Sequence, residues 1–174
     1  MHHIHTYYTV RHWADWISAT SLSQWLQNAA WFVPTSQSIH IVSLSMVFGS
    51  ALAIDLRLLG LGRSFRSVAD LTRTLVPWIY GGLVVLFITG SFQTITEPTR
   101  QFVSPAFWSK MAMIVCVLAL TMWLSRSVAA DPERWNSIER RPRRARLVAV
   151  ASLGLWIAII YCGRFIAYTW TLHV

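Results

Sequence analysis

Three basic side chains lie inside apolar stretches of this chain: His40, Lys110 and Arg164. Neutral imidazole is a common ligand for metals and for haem iron. Ammonium and guanidinium groups hold carboxylates and phosphates, the guanidinium in a two-pronged fork. At membrane depth such groups are costly, and they face a bundle interior, a cavity or a cofactor. His40, Lys110 and Arg164 are therefore the expected cofactor-binding residues, with His40 as the metal ligand. A competing arrangement has Lys110 and Arg164 snorkelling to lipid phosphates while His40 is a hydrogen-bonded core histidine. In another, Glu97 pairs with Arg100, Lys110 or Arg164, and the cluster is purely structural.

The N-terminal histidines are a second candidate metal site. The amine of Met1 followed by His2, His3 and His5 suits square-planar Cu(II) or Ni(II), against the alternative of a disordered polar tail. For a haem on His40, a second axial ligand would have to come from His12, His173, Met46, Met111 or Met113. No pattern for nucleophilic hydrolysis, phosphate cradling or dinucleotide binding is present, and acidic residues are too sparse for paired-carboxylate chemistry. Cys116 and Cys162 both fall in apolar stretches and read as packing residues.

The elements that must position these groups follow from composition. The 174 residues are 55% hydrophobic and 13% charged, about half the charge of an ordinary soluble domain. No formal charge occurs between Asp15 and Asp55, Arg73 and Glu97, Lys110 and Arg126, or Arg146 and Arg164. Runs of roughly 17–25 apolar residues cross a bilayer as helices. The expected fold class is an all-α integral membrane protein, a bundle of four transmembrane helices over about 35–58, 75–96, 105–126 and 147–171. Residues 1–10 read as a polar tail. Over 11–33, Leu22, Trp25, Leu26 and Ala29 make one apolar face, predicting one or two interfacial amphipathic helices ahead of the 34–174 domain. Ser104 and Pro105 look like the cap and first residue of the third span. Ser45, Gly49 and Ala53 on the first span, and Gly154, Ala158 and Cys162 on the fourth, repeat every four residues and predict close contact between those spans.

Arginine placement sets the expected orientation. Arg57, Arg63, Arg66 and Arg73 surround the first connection; Arg126, Arg134, Arg140, Arg141, Arg143, Arg144 and Arg146 surround the third. The positive-inside rule puts both in the cytoplasm and both termini in the periplasm. The 134–146 stretch is expected to touch anionic lipid headgroups rather than nucleic acid. The first 33 residues contain no cleavable signal pattern. With this topology His40, Lys110 and Arg164 all lie within about 8–15 Å of the outer surface.

Several segments carry a resemblance: residues 34–42 (PTSQSIHIV), 55–60 (DLRLLG), 76–78 (VPW), 89–100, 107–111 (FWSKM) and 163–168 (GRFIAY). In this order they resemble the bacterial DUF6644 membrane proteins over nearly the whole chain. More distantly, a first-span histidine with a third-span lysine looks like the CopD-type copper-resistance domain and the small haem b-binding protoporphyrinogen oxidases. That resemblance implies functional roles for His40 and Lys110. The histidine this pattern places late in the third span is absent, with MWLS over 122–125 instead.

The expected function is a small inner-membrane protein with a cofactor site near the periplasmic face. It would bind haem b first, copper second, in a redox or assembly role, without being an enzyme on its own. The alternatives are a non-catalytic subunit of a larger membrane complex, and a small-anion carrier acting as a homo-oligomer.

Overall fold

A computed structural model of the chain describes residues 2–61, 66–136, 142 and 144–168, with side chains described between residues 9 and 166. The described residues form eight helices: α1 (His2–Ser18), α2 (Ser21–Asn28), α3 (Phe32–Leu58), α4 (Val68–Thr96), α5 (Pro98–Phe102), α6 (Pro105–Ala130), α7 (Pro132–Asn136) and α8 (Arg144–Tyr168). Four of them, α3, α4, α6 and α8, are long and apolar enough to cross a membrane. At about 1.5 Å rise per residue each exceeds the roughly 30 Å hydrocarbon core. Phe87 is 76% exposed and Val42 69%; in water such a surface would aggregate, and in lipid it is the solvated face.

The spans match the apolar windows, and the ends differ for local reasons. α4 starts two turns before its apolar window. Ser67 caps it by accepting from the Asp70 amide (3.0 Å) while donating to the Asp70 carboxylate (2.6 Å), a reciprocal cap that carries the helix past the exposed Arg73. Asn136 at the end of α7 adds a second cap, accepting from the Ala69 amide at 3.1 Å. α6 begins at Pro105 as expected, but the Ser104 hydroxyl makes no capping bond. The stretch read as a polar tail is helical from His2, part of α1. His173, Trp170, Arg63, Arg140, Arg141 and Arg143 lie outside the described residues.

The closest helix pair is α3 with α4, followed by α6 with α8; α8 also packs on α3, and the α4–α6 seam is slimmer. The predicted small-residue stripe is not what joins them. Ser45 and Gly49 are exposed, and a methyl at Gly49 or Gly154 would meet nothing within 4 Å. The buried face of α3 runs instead through Ser36, Ser43 and Ser50, and through Val47 and Ile54, each set at heptad spacing. The matching face of α4 carries Gly82, Thr89 and Thr96, also seven apart. Heptad spacing keeps two helices in register along a left-handed crossing. Gly82 is the point of closest approach, where Val47 and Met46 occupy the space a side chain would need. First and fourth spans do touch, through residues such as Phe48 and Trp156, whose rings meet edge-on at 6.4 Å.

α2 closes the end of the bundle opposite the arginine-rich connections. The polar residues of its sequence do not simply face water. Ser23 is fully buried and donates to the Ile95 carbonyl at 2.7 Å; Gln27 donates to the Thr96 carbonyl at 2.9 Å. Both bonds satisfy carbonyls left open at the C-terminus of α4. Thr99 ties α1 to α5 by donating to Asp15 at 3.1 Å. Ser23→Ala is expected to cost about 1 kcal/mol and to speed amide hydrogen exchange across α2 while leaving exchange in α4 mid-span unchanged.

Candidate functional site

His40 sits on the buried seam of α3, about 12 Å along the helix from its start. Its Nδ1 is 2.8 Å from Thr89 Oγ1 on α4. The Thr89 hydroxyl already donates to the Val85 carbonyl, also at 2.8 Å. A hydroxyl has one hydrogen, so toward His40 it accepts, and Nδ1 carries the imidazole proton. Nε2 then holds the lone pair, and it has no hydrogen-bond partner among the described residues. A partner that fixes the proton on one ring nitrogen leaves the other prepared as a ligand. The ring lies beside Gly90 of α4, where an added methyl would make ordinary contact with His40 Cε1 at 3.6 Å.

Lys110 enters from α6, about 8 Å below its N-terminus. Its ammonium is within electrostatic reach of His40 and of the Cys162 sulfur on α8. Gly163 lies beside it: an added methyl there would stand in ordinary contact with Nζ at 3.6 Å. All four spans thus contribute at one level: His40, Thr89 with Gly90, Lys110, and Cys162 with Gly163. Glu97, the expected carboxylate partner, pairs with Arg100 at 2.7 Å. No carboxylate among the described residues comes within ion-pair distance of Lys110.

Arg164 does not join this group. Its side chain is exposed, because successive residues on a helix point about 100° apart and Gly163 occupies the inward position. The convergence expected of three cations is therefore a convergence of two. Met46 is engaged deeper, its methyl against Gly82, and His12 is exposed on α1; neither sits beside His40. The side chains of His2, His3 and His5 lie outside the described residues. Among the described residues no group of three His, Cys, Asp or Glu side chains could hold a metal ion.

The same end of the bundle concentrates polar atoms that lack partners. Ser36 Oγ, Gln93 Nε2, Arg100 Nε and Ser104 Oγ are buried without a hydrogen bond. Ser36 lies one turn from His40, and Gln93 one turn from Thr89. Buried polar groups are nearly always paired, so unpartnered donors at this end of the bundle suit a polar guest. All four can donate, as can Lys110; the guest they suit is rich in acceptors.

The family model for a family of unknown function, DUF6644, matches residues 12–169. The chain belongs to this family. No match was found among curated proteins or among solved structures. The match takes in all of the residues just described, from His40 to Gly163, and leaves the histidines at positions 2, 3 and 5 outside it.

Sequence reasoning missed Thr89, Gly90, Cys162 and Gly163 as parts of the site. A heptad count from Gly82 to Thr89 was the available signal for the histidine's partner. Nothing in the sequence places Gly163 rather than Arg164 toward Lys110, because that depends on the rotation of α8.

Proposed function

We propose that this DUF6644 protein is a haem b-binding subunit of the bacterial inner membrane, with its site near the periplasmic face. The observation that carries the proposal is His40: its proton is committed to Thr89, which leaves Nε2 a free ligand inside a membrane bundle. Lys110 and the unpartnered donors of Ser36, Gln93 and Ser104 match a ligand bearing carboxylates. Copper fits less well, since His40 has no companion pair of protein ligands among the described residues.

In this role His40 would hold the iron, with Thr89 fixing the imidazole tautomer, and Lys110 would neutralise a propionate. A haem with a single protein ligand would supply small-molecule chemistry or sensing rather than simple electron transfer. The orientation follows from the arginine-rich connections, with Arg134, Arg144 and Arg146 near anionic headgroups of the cytoplasmic leaflet. The distant likeness to CopD-type domains and haem-binding oxidases points the same way.

The test is the visible spectrum and haem content of protein purified from haem-replete membranes. A Soret band with stoichiometric haem b is expected; folded protein that stays colourless when supplied with haem overturns the proposal.

A second reading has its own observation. Ser45 and Gly49 form an open small-residue face on α3, suited to a partner helix in a larger complex or a homo-oligomer. It expects co-purifying subunits in mild detergent, and a monodisperse lone chain would count against it.

A further inference from the structure

The opposite end of the bundle holds a carboxylate that the haem reading does not use. Asp55 lies three residues before the end of α3, about 22 Å along the helix from His40. It is only 2% exposed, and its Oδ2 is buried without a hydrogen-bond partner. A carboxylate in a membrane bundle is costly unless something compensates its charge. No Lys, Arg or His among the described residues forms an ion pair with it.

Asp55 borders a cavity of about 20 Å³ lined by residues of α3, α4, α6 and α8. That is room for one water-sized occupant. From α4 the wall is Val76 and Ile79; from α6 it is Leu120, Thr121 and Leu124; from α8 it is Val148 and Ser152. None of these is titratable or charged, so Asp55 is the cavity's one ionisable group. The polar remainder is oxygen. Ser152 lies within hydrogen-bonding reach of the carboxyl. The Thr121 hydroxyl donates to the Val117 carbonyl at 2.9 Å, so its oxygen is left as an acceptor.

We propose that Asp55, Thr121 and Ser152 form a binding site for one small monovalent cation, Na⁺ or a proton carried on a single water, at the cytoplasmic end of the bundle. A volume of this size suits a bare ion or a single water. Oxygen donors around a single negative charge suit a hard monovalent ion rather than a soft metal. The site stands independently of the haem reading.

The experiment is thermal unfolding of the full chain in detergent at constant ionic strength. Sodium is exchanged for choline in one series and pH is varied in another, for wild type, Asp55→Asn and Thr121→Val. Ligand binding to the folded state raises Tm as the site fills, by roughly 5–10 °C near saturation. For wild type, a Tm that depends on sodium identifies the ion as Na⁺. A wild-type pH dependence that Asp55→Asn reduces, with no dependence on sodium, identifies it as the proton. In the sodium series Asp55→Asn abolishes the dependence; in the pH series it removes the share that Asp55 contributes, while the other titratable groups keep theirs. Thr121→Val weakens the same response, which keeps the test decisive should the asparagine variant misfold. Identical responses in all three proteins, or no response in wild type, overturn the site.

Discussion

His40→Ala removes the Soret band of the purified protein while the four spans stay folded. The expected loss is complete, because His12 is exposed on α1 and Met46 is engaged deeper, against Gly82. Folding should survive, since His40 is only partly buried and makes its one side-chain bond to Thr89. Thr89→Val separates ligation from packing. It keeps the shape of the seam but withdraws the acceptor that holds the proton on Nδ1, and haem affinity should fall about 10–100-fold rather than vanish. Lys110→Gln should weaken haem binding without shifting the axial-ligand spectrum. If His40→Ala retained a full Soret band, the ligand would lie elsewhere and the site as built here would fail.

Gly82→Val is expected to give the largest loss of stability among single substitutions on the α3–α4 seam. A Cβ at Gly82 would overlap Val47 Cγ2 and come within 2.9 Å of Met46 Cε. Val47 is fully buried and belongs to a β-branched type with little rotamer freedom, so the helices themselves must part. Overpacking of this kind costs about 1–3 kcal/mol, which corresponds to a fall in Tm of roughly 3–10 °C. Gly49→Ala is the control. It lies on the stripe that composition would favour as the contact, yet nothing stands within 4 Å of the added methyl. Its Tm should be unchanged, measured in the same detergent. Equal losses for the two variants would show that α3 is rotated relative to the arrangement described here.

The two ends of the bundle place their polar groups differently. At the end that α2 closes, nitrogen and hydroxyl donors surround an imidazole and an unpaired ammonium, and the deficit is of acceptors. At the other end, a carboxylate and hydroxyl oxygens surround a small cavity, and the deficit is of positive charge. Each deficit predicts the sign of what fills it. About four helical turns of α3 separate them, a stretch where Val47 and Ile159 are almost fully buried beside the buried hydroxyls of Ser43 and Ser50.

Membrane class, the four spans, the interfacial helices and the candidacy of His40 and Lys110 were all legible in the amino-acid order. Each rests on hydropathy or charge summed over a window, or on the cost of one ionisable group in an apolar run, and neither needs a partner. Helix rotation was not legible. Hydropathy around a lipid-facing helix is nearly uniform, so the sequence contains little to say which face turns inward; small residues at Ser45 and Gly49 pointed one way, and the heptads of Ser36, Ser43 and Ser50 and of Gly82 and Thr89 settled it another. That same rotation turned Gly163 toward Lys110 and Arg164 to the surface, and it gave the histidine a threonine whose hydroxyl was already spent. It also turned Asp55, near the end of the first span, into the interior. Contacts between helices are set by packing across distant parts of the chain, and only the assembled bundle decides them.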